Sequence, residues 1–172
     1  GASVQNIPGG EIYQALSSGA LDGSEWIGPL ADERMGFQEI TNIYYTAGFH
    51  EPGAALASSV NLDVWNDLTE NHRQILRYAS MATNQLQLSE TLANNGAALT
   101  RLQAQGVTAL QFSDEIWDAF GAASKEVLDE NMGDELFARI RESFEASLAK
   151  SAGWISKSDG FYVGQRVRVL GG

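Results

Sequence analysis

Two short stretches set a carboxylate beside a ring: Glu25 next to Trp26 in GSEWIGPL, and Glu51 between His50 and Pro52 in YYTAGFHEPG. Taken singly, a glutamate in a loop or short strand is a solvated one. Taken together, the two suit a hard cation such as Na⁺ or Ca²⁺, which needs several oxygen donors. Two carboxylates and neighbouring backbone carbonyls supply them. Such an ion would offset the cost of holding two like charges in a partly dry pocket, and Trp26 would wall that pocket. A carboxylate pair can also divide acid and base work, but nothing in the sequence would raise one pKa above the other, so a glycosidase-like role has no support.

Other chemistries lack their residues. The histidines are His50 and His72, and HEPG is not HExxH, because Pro52 would interrupt the helix that brings two histidines together. There is no GxSxG, and neither histidine has an acidic partner in view to orient it. No GxGxxG opens a βαβ unit and no phosphate loop occurs; PGGE is a turn into a helix. Cysteine is absent, which removes disulfides, thiolate metal sites and thiol nucleophiles, and is neutral on compartment. An enzyme is not expected.

The 172 residues are 44% hydrophobic and 19% charged, with a formal net charge of -11. That length suits one domain, and the hydrophobic fraction is too high for a disordered chain. The acidic balance, with no Lys/Arg cluster, argues against nucleic acid as a partner. No apolar run is long enough to span a membrane, and GASVQNIPGGE lacks the basic start and apolar stretch of a signal peptide.

The elements that must position Glu25 and Glu51 fall in two halves of different character. Residues 1–68 mix short apolar runs with Gly and Pro. GGEIYQALSSGALDG reads as a short helix with Ile12, Ala15 and Leu16 on one face and Gly19 closing it. SEWI reads as a short strand and PLADERMGFQEI as a helix starting near Pro29. NIYYTAGF and AALASSVNL read as strands without hairpin partners.

In residues 69–172, Thr69 caps a helix with Glu70 in its first turn that runs to about Gln105, where Gly106 ends it. Ile75, Ala79, Ala82, Leu86, Ala93 and Ala97 share a face. A rod of about 50 Å results, either a coiled coil or a spar along two lobes. Ala, Ser and Asn in the seam and sparse flanking charges favour the spar. VTALQF follows as a strand. Ser113 then caps a helix with Ile116, Trp117, Phe120, Val127 and Leu128 inward. Past Gly133, Phe137, Ile140, Phe144, Leu148 and Ile155 mark another helix, and these stripes read as core. The tail FYVGQRVRVLGG alternates like a strand at VRV, yet sits where a helix could continue.

IPGGEIYQALSSGALDGSEWIGPLADERMGF, followed by IYYTAGFHEPGAALASSVNLDVWNDL, resembles the C-terminal half of the solute-binding proteins of TRAP (tripartite ATP-independent periplasmic) transporters. It is most similar to the branch that binds α-keto acids and related carboxylates with a metal ion. The resemblance runs from about Val4 through the long helix and more loosely to about Ile155, and EW-GP with HEPG at this separation is its specific part. It implies a helix-rich α/β fold, part of a periplasmic-binding-protein-like pair of lobes, with the spar at about 69–105 and two C-terminal helices. The whole of 1–172 would be one partial unit.

By the same resemblance, Glu25 and Glu51 are side-chain metal ligands and the Trp26 carbonyl a third, with the Trp26 ring against the ligand and Na⁺ or Ca²⁺ bridging to the acid. In the family an Arg grips the substrate carboxylate and a Gln helps hold the metal, both from the N-terminal half. No Arg here matches: Arg34 lies after the metal segment, and Arg73, Arg77 and Arg101 lie on the rod. The tail after Lys157 departs from the helix that usually closes the fold.

Two readings follow. In one, the chain is the C-terminal portion of a periplasmic receptor that binds a small organic acid for a TRAP membrane permease, and is not a competent binder alone. In the other it is a truncated stand-alone structural or interaction protein, cytoplasmic, with no ligand. Both lead to the expectation of a homo-oligomer, with swapped elements as one route, because strand edges and apolar faces lack partners.

Overall fold

The computed structural model describes residues 2–48, 53–54 and 56–171. Contacts divide the chain into two compact units, Gly1–Ser113 and Asp114–Gly172.

In the first unit, Pro8 starts a single 3-10 turn at Gly9–Glu11 that runs into α1 (Ile12–Ser17). Helix α2 (Pro29–Met35) has Gly28 at its N-cap and proline in the position where a missing N–H costs nothing. Gly36 ends it with a left-handed φ of 77°. After a 3-10 turn at Phe37–Glu39 comes strand β1 (Ile43–Tyr45). Helix α3 (Leu62–Asp67) is capped by Asn61, whose Oδ1 accepts from Asp63 N and Val64 N at 3.0 and 3.2 Å. Helix α4 (Glu70–Ala104) begins with Thr69 Oγ1 accepting from His72 N. Strand β2 (Thr108–Leu110) then pairs in parallel with β1, Tyr44 opposite Ala109. Parallel strands need a long crossover, and α3 with α4 supply it.

The core of this unit is small. Among the described residues the buried apolar side chains are Ile12, Ala98, Leu102 and Val107, and the one buried charged residue is Asp32. Helix α2 packs on the C-terminal end of α4. There Glu33 receives a bidentate grip from Arg101, Nε at 2.8 Å and Nη2 at 2.6 Å.

The second unit is helical: α5 (Asp114–Glu130), α6 (Glu135–Ile155) and α7 (Asp159–Leu170), with a 3-10 turn at Asn131–Gly133. Asp134 Oδ1 caps α6 by accepting from Phe137 N at 2.7 Å, and Arg141 lies between Asp129 and Glu145 at 2.8 Å from each.

The long helix, its cap, its glycine stop, the helix from Pro29 and the strands within NIYYTAGF and VTALQF match the sequence expectations. Several others do not. SEWI is irregular, because the Ile27 and Gly28 N–H groups bond to the Asp32 carboxylate rather than to a strand. The described residues of AALASSVNL carry no strand, and the segment ends by capping α3. The covered face of α4 is Asn95, Ala98 and Leu102, not the stripe through Ala93 and Ala97, because polar contacts from α2 choose it. Three C-terminal helices stand where two were expected. The tail, which the sequence left open between strand and helix, is helical, with Tyr162 N on Ser158 O.

The apolar stripes of α5 and α6 are not core within this chain. Neither helix has a buried residue, and Ile140, Phe144 and Leu148 are 59%, 62% and 48% exposed. Two compact units of these sizes, not touching at all, would expose about 10,000 Å². The chain exposes 13,688 Å².

Candidate functional site

The segment 24–28 is held on three sides. Gly9 approaches the Trp26 indole so closely that a Cβ there would stand 2.8 Å from Cη2 and 3.1 Å from Cζ3. Phe37 meets the same ring edge-on, with centroids 6.3 Å apart. The indole is half-buried between the PGG turn and the end of α2, which explains why that turn carries glycine.

The backbone behind the ring is fixed by Asp32. Its Oδ1 accepts from Gly28 N at 3.1 Å and Ile27 N at 3.3 Å, and its Oδ2 accepts from the Tyr44 hydroxyl at 2.6 Å. Burial, then the hydrogen bond and charge of Asp32, push the Tyr44 hydroxyl well above the usual tyrosine range, so at neutral pH it is a donor. Asn95 on α4 adds a further tie, its Oδ1 accepting from Leu30 N at 3.1 Å. Gly28 has a φ of 153°, a conformation that favours glycine and carries the chain into Pro29.

A cavity of ≈ 20 Å³ lies beside this knot, bounded by Asp32, Gln38, Tyr44 and Leu102. It is large enough for one water and far too small for an organic acid. A ligand meeting Trp26 must do so on the open side of the segment.

Of the residues singled out in the sequence, Glu25 is exposed and Trp26 half-buried, while Glu51 and the rest of FHEP lie outside the described residues. Among the described residues no group of three or more His, Cys, Asp and Glu side chains comes together as a metal cage. The donors offered at Glu25 and at the Trp26 carbonyl are oxygen, which suits a hard cation and not a soft one.

The arginines on the rod are engaged elsewhere. Arg101 holds Glu33. Arg73 donates to the carbonyls of Trp65 and Asn66 at 2.9 and 2.8 Å, and Arg77 sits over the Trp65 ring at 5.4 Å. The anchoring residues Gly9, Asp32, Tyr44 and Asn95 were not singled out in the sequence. The one legible signal was an acid in the first turn of a helix with a glycine N-cap, which can reach back to the cap N–H.

Residues 1–134 match the family model of bacterial extracellular solute-binding protein, family 7 (DctP). The chain is 39% identical over 155 residues to the monocarboxylate 2-oxoacid-binding periplasmic protein of Nostoc sp., covering 90% of this chain and 43% of that one. It is 25% identical over 166 residues to the ectoine-binding periplasmic protein TeaA of Halomonas elongata, covering 89% and 46%.

Two solved structures match with a TM-score of 0.90 over 96% of this chain. One is a TRAP transporter solute-binding protein from Bordetella bronchiseptica, a mixed-occupancy dimer with calcium and picolinate in one site, at 30% identity and over 50% of its length. The other is a TRAP periplasmic solute-binding protein from Colwellia psychrerythraea with calcium and pyruvate bound, at 34% identity and over 51% of its length. The chain thus spans about half the length of the relatives it matches.

Proposed function

Because the chain belongs to the family 7 bacterial extracellular solute-binding proteins, we propose that it forms the C-terminal portion of a periplasmic receptor delivering a small 2-oxo or hydroxy monocarboxylate to a TRAP membrane permease. In that receptor the Glu25 and Glu51 carboxylates and the Trp26 carbonyl would hold a calcium ion, with sodium as the alternative occupant. A hard cation held there would offset the two negative charges and supply coordination for the acid's oxygens. The Trp26 ring walls the ligand on its apolar side.

The observation that supports this reading best is the fixing of Trp26. A tryptophan wedged between a glycine turn and Phe37, on backbone tied down by Asp32, is held in place before any ligand arrives. A 2-oxo monocarboxylate is favoured over ectoine because the Nostoc protein is the nearer of the two curated relatives in identity. The engaged arginines of α4 and the uncovered faces of α5 and α6 favour a second contribution to the site and to the core from another stretch of receptor. Alone, the 172-residue chain is therefore expected to bind the acid poorly.

The test compares this chain with a fusion that adds the N-terminal half of the Colwellia receptor. Pyruvate at 100 times its Kd, with calcium, should stabilise the fusion by about 2.7 kcal/mol and the lone chain by far less. Glu51→Gln should abolish the calcium dependence. A folded fusion whose melting temperature ignores pyruvate and calcium, or a Glu51→Gln variant that keeps its calcium dependence, would overturn the assignment.

A further inference from the structure

Asp32 lies outside the residues assigned above to metal and acid, yet it is the one buried charged side chain among the described residues. A helix N-cap does not require that burial. A surface carboxylate reaching back to the cap N–H would do the same work with its other oxygen in water. Here both oxygens are used. Oδ1 takes the two consecutive N–H groups that follow Trp26, and Oδ2 takes the hydroxyl of Tyr44, which belongs to another element, β1. Three donors on one carboxylate satisfy a group that would otherwise be costly to bury.

The placement has a meaning in the chain's connectivity. The N–H groups of Ile27 and Gly28 belong to the segment that carries Glu25 and Trp26. Tyr44 belongs to β1, which pairs with β2. We propose that Asp32 is the positioning residue of the binding site, one carboxylate tying the segment that bears Glu25 and Trp26 to the sheet. This rests on reading Glu25 and Trp26 as binding residues. Asn95 supports the arrangement from α4 by holding Leu30 N, so the knot is referred to the long helix as well. The stabilised tyrosine hydroxyl cannot compete by ionising near neutral pH, so Tyr44 stays a donor and the order of bonds is fixed.

The experiment measures amide exchange on the full 172-residue chain, comparing Ile27 and Gly28 with Leu102 in the core of α4. The variants are Asp32→Ala, Asp32→Asn and Tyr44→Phe. Asp32→Ala removes both acceptors and should speed exchange at Ile27 and Gly28 about tenfold or more relative to Leu102. Asp32→Asn keeps an amide oxygen for the two N–H groups and should restore most of the protection, which also covers the case where the alanine variant does not fold. Tyr44→Phe touches neither N–H, yet should loosen both several-fold by freeing the carboxylate.

Equal acceleration at Ile27, Gly28 and Leu102 would show a general stability role and overturn the proposal. So would unchanged exchange at Ile27 and Gly28 in Tyr44→Phe or in a folded Asp32→Ala. A second arm titrates terbium alone and reads emission sensitised by tryptophan, with Trp26→Phe as the blank. Affinity weakened several-fold in Tyr44→Phe supports positioning. No Trp26-dependent emission in the unaltered chain counts against the cation reading instead, and the exchange data decide the anchoring independently.

Discussion

Gly9→Ala, compared with Gly10→Ala beside it, tests the packing that fixes Trp26. Both glycines lie in one 3-10 turn, so adding a methyl removes the same unfolded-state freedom in each, a gain of about 0.4–1 kcal/mol. That gain cancels in the comparison. What differs is the surroundings: a Cβ on Gly10 meets nothing within 4 Å, whereas one on Gly9 stands 2.8 Å from Trp26 Cη2. Carbon atoms pack at about 3.5–4.0 Å, so the indole or the turn must give by about 0.7–1.2 Å. Overpacking of this kind costs about 1–3 kcal/mol. Retreat of the ring from Phe37 gives up an edge contact worth about 0.5–1.5 kcal/mol.

Gly9→Ala should therefore be less stable than Gly10→Ala by about 1–3 kcal/mol. For a unit of this size that is a difference in melting temperature of about 4–12 °C. Scanning calorimetry supplies it, and Trp26 emission, isolated by subtracting the Trp26→Phe spectrum, should shift only in the Gly9 variant. Coincident melting temperatures with unchanged emission in both would mean that the close approach of Gly9 to the indole is not there, and the reasoning about a pre-set ring would fall with it.

Gly28→Ala should cost about 1–3 kcal/mol because its φ of 153° suits only glycine. The added Cβ would meet Asn95 Nδ2 at an ordinary 3.5 Å, so adding Asn95→Ala should not recover the lost melting temperature. The hydrogen bond from Arg101, then the charges of Arg101 and Arg34, hold the Glu33 carboxyl below its usual range despite partial burial. The folded pKa is thus lower than the unfolded one. This pair's contribution is present above the ordinary carboxylate pKa and is lost as pH falls through the depressed value. Melting temperature followed from pH 7 to pH 3 should fall less steeply in Glu33→Gln, and parallel curves would refute the linkage. At micromolar concentration the isolated chain should sediment as a dimer or larger oligomer, because its apolar faces are uncovered; a compact monomer would contradict that.

Local signals carried far in this sequence where the cause is local. Thr69, Glu70 and Gly106 bound α4 because a cap, a first-turn acid and a glycine stop act within a turn of the residues that supply them. The same holds for Pro29 at the start of α2. The pairing of Glu25 with Trp26 was legible as an oxygen donor beside a ring. Its support was not, because Asp32, Tyr44 and Asn95 come from three elements, and nothing in their spacing says that they meet. SEWI has the composition of a strand and lost that form because a buried carboxylate took the N–H groups a neighbouring strand would have used.

Hydrophobic periodicity reports which face of a helix is apolar, and is silent on what covers it. Ile140, Phe144 and Leu148 line up on α6 as the spacing requires, yet all three are largely exposed. The same holds for Ile75 and Leu86 on α4, at 55% and 69% exposure. On α4 the covered stripe is chosen by Asn95 and Arg101, the residues that bond to α2. The uncovered one is what periodicity singles out. A sequence keeps an apolar stripe of that regularity only where something apolar packs on it, since stripes facing water invite association. The relatives this chain matches are about twice as long. On the reading proposed above, one half-chain would cover these faces and complete the site, so a partner that buries Ile140, Phe144 and Leu148 should also restore acid binding.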